Sequence, residues 1–247
     1  MKLILLGTGG YRPNDRRQTL CLLLPEYGIM LDAGTALYRA GACLQGPELD
    51  IFLTHAHLDH VAGLTYLLEV ARAHPLRRVT VHGEADKLAA VDTHLFANAL
   101  FPKRPALDFQ PLGAEPVPLA DGGRLCWFPL VHPGGSIGYR LDWPGHSMAY
   151  VTDTPADPAA AYVEKIHGVG LLIHECYFAD DQAEWARLTG HSHVRPVLEV
   201  ARRAAVGRLL LVHINPLALD DDPVGLEAAR DLFPATALAV DGMAVDF

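Results

Sequence analysis

Apolar runs of three to six residues alternate with helical patterns along the chain. Residues 2–6, 19–24 and 29–31 predict strands, set apart by Gly7-Thr8-Gly9-Gly10 and by Pro25-Glu26-Tyr27-Gly28, whose glycines and proline favour turns. Residues 35–44 predict a helix closed by Gly46-Pro47, and residues 51–54 a buried strand. From residue 61 to 73, Leu64, Leu67, Leu68 and Ala71 recur at helical spacing, which predicts one helix with that face turned inward. A strand over 79–82 and a helix over 85–99 follow.

Residues 107–152 change character. They are rich in glycine and proline, with short strand patterns at 125–128, 138–141 and 147–152, the signature of antiparallel pairing. Helical patterning returns at 158–166, 182–188 and 195–205, and strands at 169–173 and 208–212. Asp220-Asp221-Asp222-Pro223 predicts the start of a last helix, and strands over 236–240 and 243–247 close the chain. No fixed-period repeat or low-complexity linker interrupts the pattern. A single mixed α/β domain over residues 1–247 is expected, with helices covering sheets that are not purely parallel.

Composition narrows the class. Half of the 247 residues are apolar and 20% are charged, which supplies a core and excludes a disordered chain. With 20 Lys+Arg against 29 Asp+Glu, the formal charge of −9 argues against a general electrostatic grip on nucleic acid or anionic membrane. The apolar run Leu3 to Leu6 is too short for a signal-peptide core, and no apolar stretch approaches the roughly 18 residues of a membrane span. Cys21, Cys43, Cys126 and Cys176 are widely spaced without a C-x-x-C, so neither a zinc knuckle nor a disulfide framework is indicated. A cytoplasmic location is expected. The unusual count is that of histidine, 13 residues.

Four ligand-type side chains fall within six residues in Thr54-His55-Ala56-His57-Leu58-Asp59-His60. His55 and His57 are two apart, so in an extended segment both project to one side, and Asp59 and His60 come at the turn into the next helix. Imidazole and carboxylate suit Zn²⁺ and similar cations, and four such groups exceed what one tetrahedral ion needs beside distant partners. The motif therefore predicts two metals. Further candidates stand where predicted strands end: His132 before Pro133-Gly134-Gly135, Asp153 in Thr152-Asp153-Thr154, and His213 after the apolar strand 208–212. His74, His82, His94, His146 and His167 lack such company.

The segment T-H-x-H-x-D-H followed by these three residues in order resembles the metallo-β-lactamase-fold hydrolases. The resemblance spans residues 3 to 216. It implies a four-layer αβ/βα sandwich, with His55, His57 and His132 on one divalent metal and Asp59, His60 and His213 on the other. Asp153 would bridge them. Zinc is the expected ion, with Mn and Fe equally able to use these ligands. Leu6-Gly7-Thr8-Gly9-Gly10 and Leu31-Asp32-Ala33-Gly34-Thr35 are similar to the opening of ribonuclease Z and related phosphodiesterases, with Asp32 expected to support a ligand rather than touch metal. His174-Glu175-Cys176-Tyr177-Phe178 resembles that branch's H-E-A-T-F segment, and Gly190-His191-Ser192-His193 its G-H-S-T. By position Glu175 and His191 would form its proton relay.

Ribonuclease Z carries a long Gly/Pro-rich basic arm that grips tRNA. Here His132 and Asp153 are 21 residues apart, room for two strands only, and no other interval holds such an insertion. The implied activity is hydrolysis of a small or cyclic phosphodiester by metal-bound hydroxide, with Asp59 also orienting the hydroxide and His191 protonating the leaving oxygen. Transfer RNA and membrane are not expected partners, and a homodimer is allowed. Two alternatives stay open on the same ligands: a lactone or thioester hydrolase, and a non-hydrolytic metal-binding member serving cofactor biosynthesis or oxidation. The physiological substrate, the metal, the oligomeric state and any catalytic part for His193 are not written in the sequence.

Overall fold

In the computed structural model, which describes all 247 residues, the apolar runs become fourteen strands in two seven-stranded sheets. The first sheet takes β1 (Lys2–Gly7), β2 (Cys21–Leu24), β3 (Ile29–Leu31), β4 (Glu48–Phe52), β5 (Arg78–Gly83) and β6 (Asp108–Pro111). The second takes β7 (Val117–Pro118), β8 (Arg124–Leu130), β9 (Ser136–Trp143), β10 (His146–Val151), β11 (Leu171–Glu175), β12 (Arg208–Val212) and β13 (Thr236–Leu238), after which β14 (Met243–Asp246) returns to the first. The chain divides into two units, residues 1–114 with 240–246, and residues 115–239 with 247.

In the first unit the strand order is β14-β1-β2-β3-β4-β5-β6. Pairing is antiparallel from β14 to β3 and parallel from β3 to β6. A 3₁₀ helix (Thr35–Ala42), α1 (Leu58–Val61), a 3₁₀ turn (Ala62–Tyr66), α2 (Leu67–Ala73) and α3 (Ala85–Ala90) accompany this sheet. Leu23, Met30, Ile51 and Val81 from the strands join Leu37, Leu64, Leu67 and Val70 from the helices in one apolar core.

The second unit runs β13-β12-β11-β10-β9-β8-β7, antiparallel from β7 to β10 and parallel from β10 to β13. Its helices are α4 (Tyr162–Lys165), α5 (Ala183–Thr189) and α6 (Val194–Arg203). The apolar positions of α6, Val194, Val197, Leu198 and Ala201, pack with Ala149, Leu172, Leu209 and Leu211 of the sheet. Both sheets are thus mixed and flanked by helices, as the alternation of patterns predicts. No helix is long and apolar enough to cross a membrane.

Four expectations fail locally, one of them the helix over 85–99, which is α-helical only over 85–90, widens into a π turn over 91–95 and ends there. The predicted helix over 61–73 is broken into α1, a 3₁₀ turn and α2, and it buries Val70 while Leu68 and Ala71 are exposed. Gly63 is the cause. Its N–H donates to the Ala33 carbonyl at 2.8 Å, and a Cβ there would collide with the Gly34 carbonyl oxygen. The 3₁₀ turn this contact fixes has 3.0 rather than 3.6 residues per turn, which rotates the later apolar face. No helix follows Asp220: the Asp222 carboxylate caps the N–H groups of Leu226 and Glu227 at 2.7 and 3.0 Å, but Gly225 takes φ +69° and the segment closes as turns. The pattern over 158–166 yields only the four residues of α4, and β6 and β7, mostly exposed, carry no apolar pattern that predicts them.

Candidate metal centre

In the first unit the T-H-x-H-x-D-H segment runs from β4 into α1, with His57 still extended at φ −67°, ψ 149°. Its organising group is Asp32, the residue after β3, whose side chain is wholly buried. The Asp32 carboxylate accepts the Thr54 N–H at 2.8 Å, the Thr54 hydroxyl at 3.0 Å, and the Nδ1–H of His60 at 2.8 Å. A carboxylate only accepts, so His60 carries its proton on Nδ1 and turns a lone pair outward on Nε2. The Thr54 hydroxyl spends its one proton on Asp32 and therefore accepts from His55 Nδ1, 3.0 Å away, which fixes the same tautomer on His55.

The rings of His57 and His60 stand 4.4 and 4.3 Å from that of His55, centroid to centroid. Asp59 Oδ2 lies 3.4 Å from His60 Nε2 and accepts the Tyr11 N–H at 2.7 Å. His55 and His60 are buried while His57 is exposed. Four sequence candidates, His55, His57, Asp59 and His60, are thus brought together in this unit, with Asp32 fixing His60 directly and His55 through Thr54.

The second unit gathers the rest. Asp153 follows β10, with Thr152 donating its hydroxyl to Oδ1 at 2.6 Å. The two carboxylate oxygens face different imidazoles: Oδ2 is 3.5 Å from His132 Nε2 and Oδ1 is 3.4 Å from His213 Nε2. His132 Nδ1 donates to the Gly190 carbonyl at 3.0 Å, which again leaves Nε2 as the lone-pair nitrogen. Burial lowers the His132 pKa despite the neighbouring Asp153 charge, which favours the neutral form that a metal ligand needs. Asp32, Asp153 and His213 all adopt left-handed backbone, at φ 56°, 52° and 56°, a conformation that costs free energy in any residue but glycine. Strain held at three such positions, each just past a strand end, marks them as fixed by the sheets.

Glu175 ends β11 and is wholly buried. Oε1 accepts the Thr154 N–H at 2.6 Å and faces His191 Nδ1 at 3.3 Å, while Oε2 accepts the Ser192 N–H at 3.2 Å. The His191 ring stacks on Tyr177 (4.7 Å, 16°) and on His213 (5.2 Å, 27°). One ring nitrogen of His191 also lies within 4.8 Å of ligand atoms of Asp153 and His213. His193 turns elsewhere, donating from Nδ1 to Asp180 at 2.7 Å.

Sequence reading does not reveal Gly190, Tyr177 or His174. Gly190 is left-handed at φ +77°, and a Cβ there would lie 2.6 Å from Pro133 Cδ. Only glycine lets its carbonyl reach His132. His174 is buried, donates from Nδ1 to the Glu175 carbonyl at 2.7 Å, and accepts the Tyr162 hydroxyl at 3.0 Å, so it anchors the strand end beneath Glu175. Its pKa is lowered by burial. The signal for His174 and Tyr177 is their adjacency to Glu175 in one motif. For Gly190 it is the glycine opening G-H-S-H.

The donor chemistry fits divalent metal ions. Three buried or nearly buried imidazoles commit Nδ1 to an acceptor and keep the lone pair on Nε2, and one carboxylate presents its oxygens to two different imidazoles.

The chain matches the family described as Beta-lactamase superfamily domain over residues 28–214. Over 301 aligned positions it is 28% identical to ribonuclease BN of Salmonella paratyphi C, covering 98% of each protein. Because this chain has 247 residues, at least 54 of those positions fall opposite gaps in it. Among solved structures it is similar to the metallo-beta-lactamase fold protein YhfI of Bacillus subtilis, with TM-score 0.80, 20% identity and 99% of each chain covered. It is also similar to a diphosphatase of the PhnP family, with TM-score 0.73, 20% identity, and 100% of this chain and 96% of that one covered. At those identities the two structures speak for the fold alone. The match across three quarters of the chain places it: it belongs to the β-lactamase superfamily and is a hydrolase of the metallo-β-lactamase fold.

Proposed function

We propose that the chain is a dinuclear metal-dependent phosphodiesterase acting on small or cyclic phosphodiesters. In this reading His55, His57 and His132 hold one cation, Asp59, His60 and His213 the other, and Asp153 bridges them. Zinc is the expected ion, and Mn or Fe would accept the same imidazole and carboxylate donors. The family match crosses both units, which supports reading residues 1–247 as one domain. When bound, two such cations would neutralise charge on phosphoryl oxygens and lower the pKa of water toward about 7.

The observation that carries the reaction class is the pair His191–Glu175. A carboxylate fixed by two backbone N–H groups and facing His191 Nδ1 at 3.3 Å stabilises the ring as imidazolium. Nε2 then holds a proton for a departing alkoxide. A thioester expels a thiolate, a better leaving group that gains less from such an acid; a lactone also expels an alkoxide, and against it the ribonuclease relative is what favours the phosphodiester. The ribonuclease relative acts on phosphodiester bonds, and the 54 or more positions it has beyond this chain support a smaller substrate here. The −9 charge supports weak binding of tRNA in the same direction.

His191→Ala tests the reading. It should retain about two metals per chain, while hydrolysis of a dialkyl phosphodiester falls by about 10²–10⁴-fold, the usual worth of a general acid. A p-nitrophenyl diester, whose leaving group needs little protonation, should fall far less. Equal losses on both substrates would remove His191 from the acid role. Loss of a metal would make it a ligand, which its position near Asp153 and His213 allows for.

A further inference from the structure

Beside the ligands of the first unit lies a pocket that the proposed chemistry leaves unused. It has a volume of about 300 Å³ and is lined by seven aliphatic side chains and one imidazole. Ala56 and Leu58 form one wall, and Ala90, Val91 and Leu95 face them from α3 and the turn that follows. The wall is built from the metal motif itself. Residues 55–59 alternate, so that His55, His57 and Asp59 carry ligand atoms while Ala56 and Leu58 line the pocket. Leu58 is 70% exposed and Leu100, at the rim, 74% exposed, so the pocket opens to solvent between apolar side chains.

We propose that this pocket is a specificity subsite taking an apolar aryl or branched alkyl ester group of the substrate. The inference rests on the phosphodiesterase reading for the word substrate, but not for the pocket. Three features choose the occupant. The volume suits a group of phenyl size, at the lower end of small-molecule sites. The shared backbone places the pocket one residue from His57 and from Asp59, within reach of an ester oxygen on a phosphorus held there. His94 is its one polar side chain, so a nucleobase would bury several donors and acceptors against a wall able to answer at most one or two. A hydrocarbon group leaves nothing unpaired.

The experiment uses metal-loaded protein and p-nitrophenyl phosphodiesters that share a leaving group and differ in the retained ester: methyl, phenyl and thymidine-5′. The phenyl diester should exceed the methyl diester in kcat/KM by about ten- to a hundredfold, the ratio that burial of one phenyl-sized group corresponds to, with the thymidine diester between them. Ala90→Phe, which fills the pocket, should bring the phenyl-to-methyl ratio toward one. Leu100→Ser, at an exposed rim position that tolerates change, should reduce it in a folded protein. A second measurement needs neither metal nor turnover. Fluorobenzene added to the labelled protein should shift the methyl resonances of Ala56, Ala90 and Val91, and Ala90→Phe should abolish those shifts.

A phenyl-to-methyl ratio near one in the wild type overturns the subsite while leaving phosphodiester hydrolysis standing. Fluorobenzene shifts without hydrolysis of any diester would support the apolar site and sink the phosphodiesterase reading. Absence of shifts at these methyls overturns the proposal outright. Self-association that Ala90→Phe abolishes would assign the pocket to a second copy of the chain, and overturns it too.

Discussion

Replacing Asp32 by Asn changes no volume and keeps a residue type that accepts left-handed backbone, so φ 56° is not itself disturbed. What changes is the hydrogen-bond arithmetic. The carboxylate accepts from Thr54 N–H, the Thr54 hydroxyl and His60 Nδ1–H. An amide has one accepting oxygen, and its NH₂ must face either Thr54 N–H or His60 Nδ1–H, donor against donor. One buried donor loses its acceptor, at a cost of about 1–3 kcal/mol. The alternative is that His60 moves its proton to Nε2, which removes the lone pair a metal would use. Either way the ligand is spoiled. For a chain of this length, 2 kcal/mol corresponds to a fall in Tm of about 4–8 °C.

Metal affinity should fall by about 10–100-fold, the usual effect of losing a partner behind a ligating histidine. Asp32→Ala removes the acceptor of all three donors and adds about 1–2 kcal/mol for a left-handed alanine, which together reach the lower end of a domain's total stability of about 5–15 kcal/mol. Thermal unfolding of metal-free protein and titration of metal against a competing chelator separate the two effects. Should Asp32→Asn lower Tm yet bind metal as the parent does, the carboxylate does not set the His60 tautomer, and the argument from donor chemistry fails for the first unit.

Two more outcomes follow from single positions. Gly190→Ala must strain a left-handed residue and push Cβ onto Pro133, so a loss of at least about 1–2 kcal/mol and a fall in metal affinity through His132 are expected; an unchanged melting curve would contradict the close approach. Burial works to raise the Asp50 pKa, but hydrogen bonds from His82 and a bidentate Arg78 overcome it and hold it at about 2 rather than 3.8. A depressed carboxylate stabilises the fold above its unfolded pKa and loses that contribution as pH falls through the folded one, so urea midpoints should drop between about pH 4 and 2, and Asp50→Asn should flatten that slope.

The candidate ligands of the first unit are legible because four of them sit within six residues, where spacing alone speaks. His132, Asp153 and His213 carry no local pattern, and only their order behind strands, set against a known family, singles them out. What holds each ligand is less visible. The Thr54 hydroxyl serves His55 only because Asp32, 22 residues away in sequence, takes its proton. The Gly190 carbonyl serves His132 across 58 residues. The broken helix after the motif has the same origin. Leu64, Leu67, Leu68 and Ala71 form a sound helical face until the backbone at Ala33–Gly34 presses on Gly63 and changes the turn. Periodicity sees neighbours along the chain, and these decisions are made by contacts between distant segments.

Asp32 and Glu175 show one device used in both units, and the difference between them argues for different tasks. Each is a wholly buried carboxylate at a strand end, each is fixed by local donors (Thr54 N–H and hydroxyl for Asp32, two backbone N–H groups for Glu175), and each turns an oxygen to an imidazole Nδ1. The Asp32 contact with His60 is 2.8 Å and the ring is sealed from solvent. Such a ring keeps one tautomer and exchanges no proton with water, which is what a permanent ligand requires. The Glu175 contact with His191 is 3.3 Å and the His191 side chain keeps 14% exposure. A general acid must be recharged after every turnover, and only a ring that water can reach satisfies that. The looser, wetter member of the pair is therefore the one suited to move a proton, and the tighter, drier one to hold a cation.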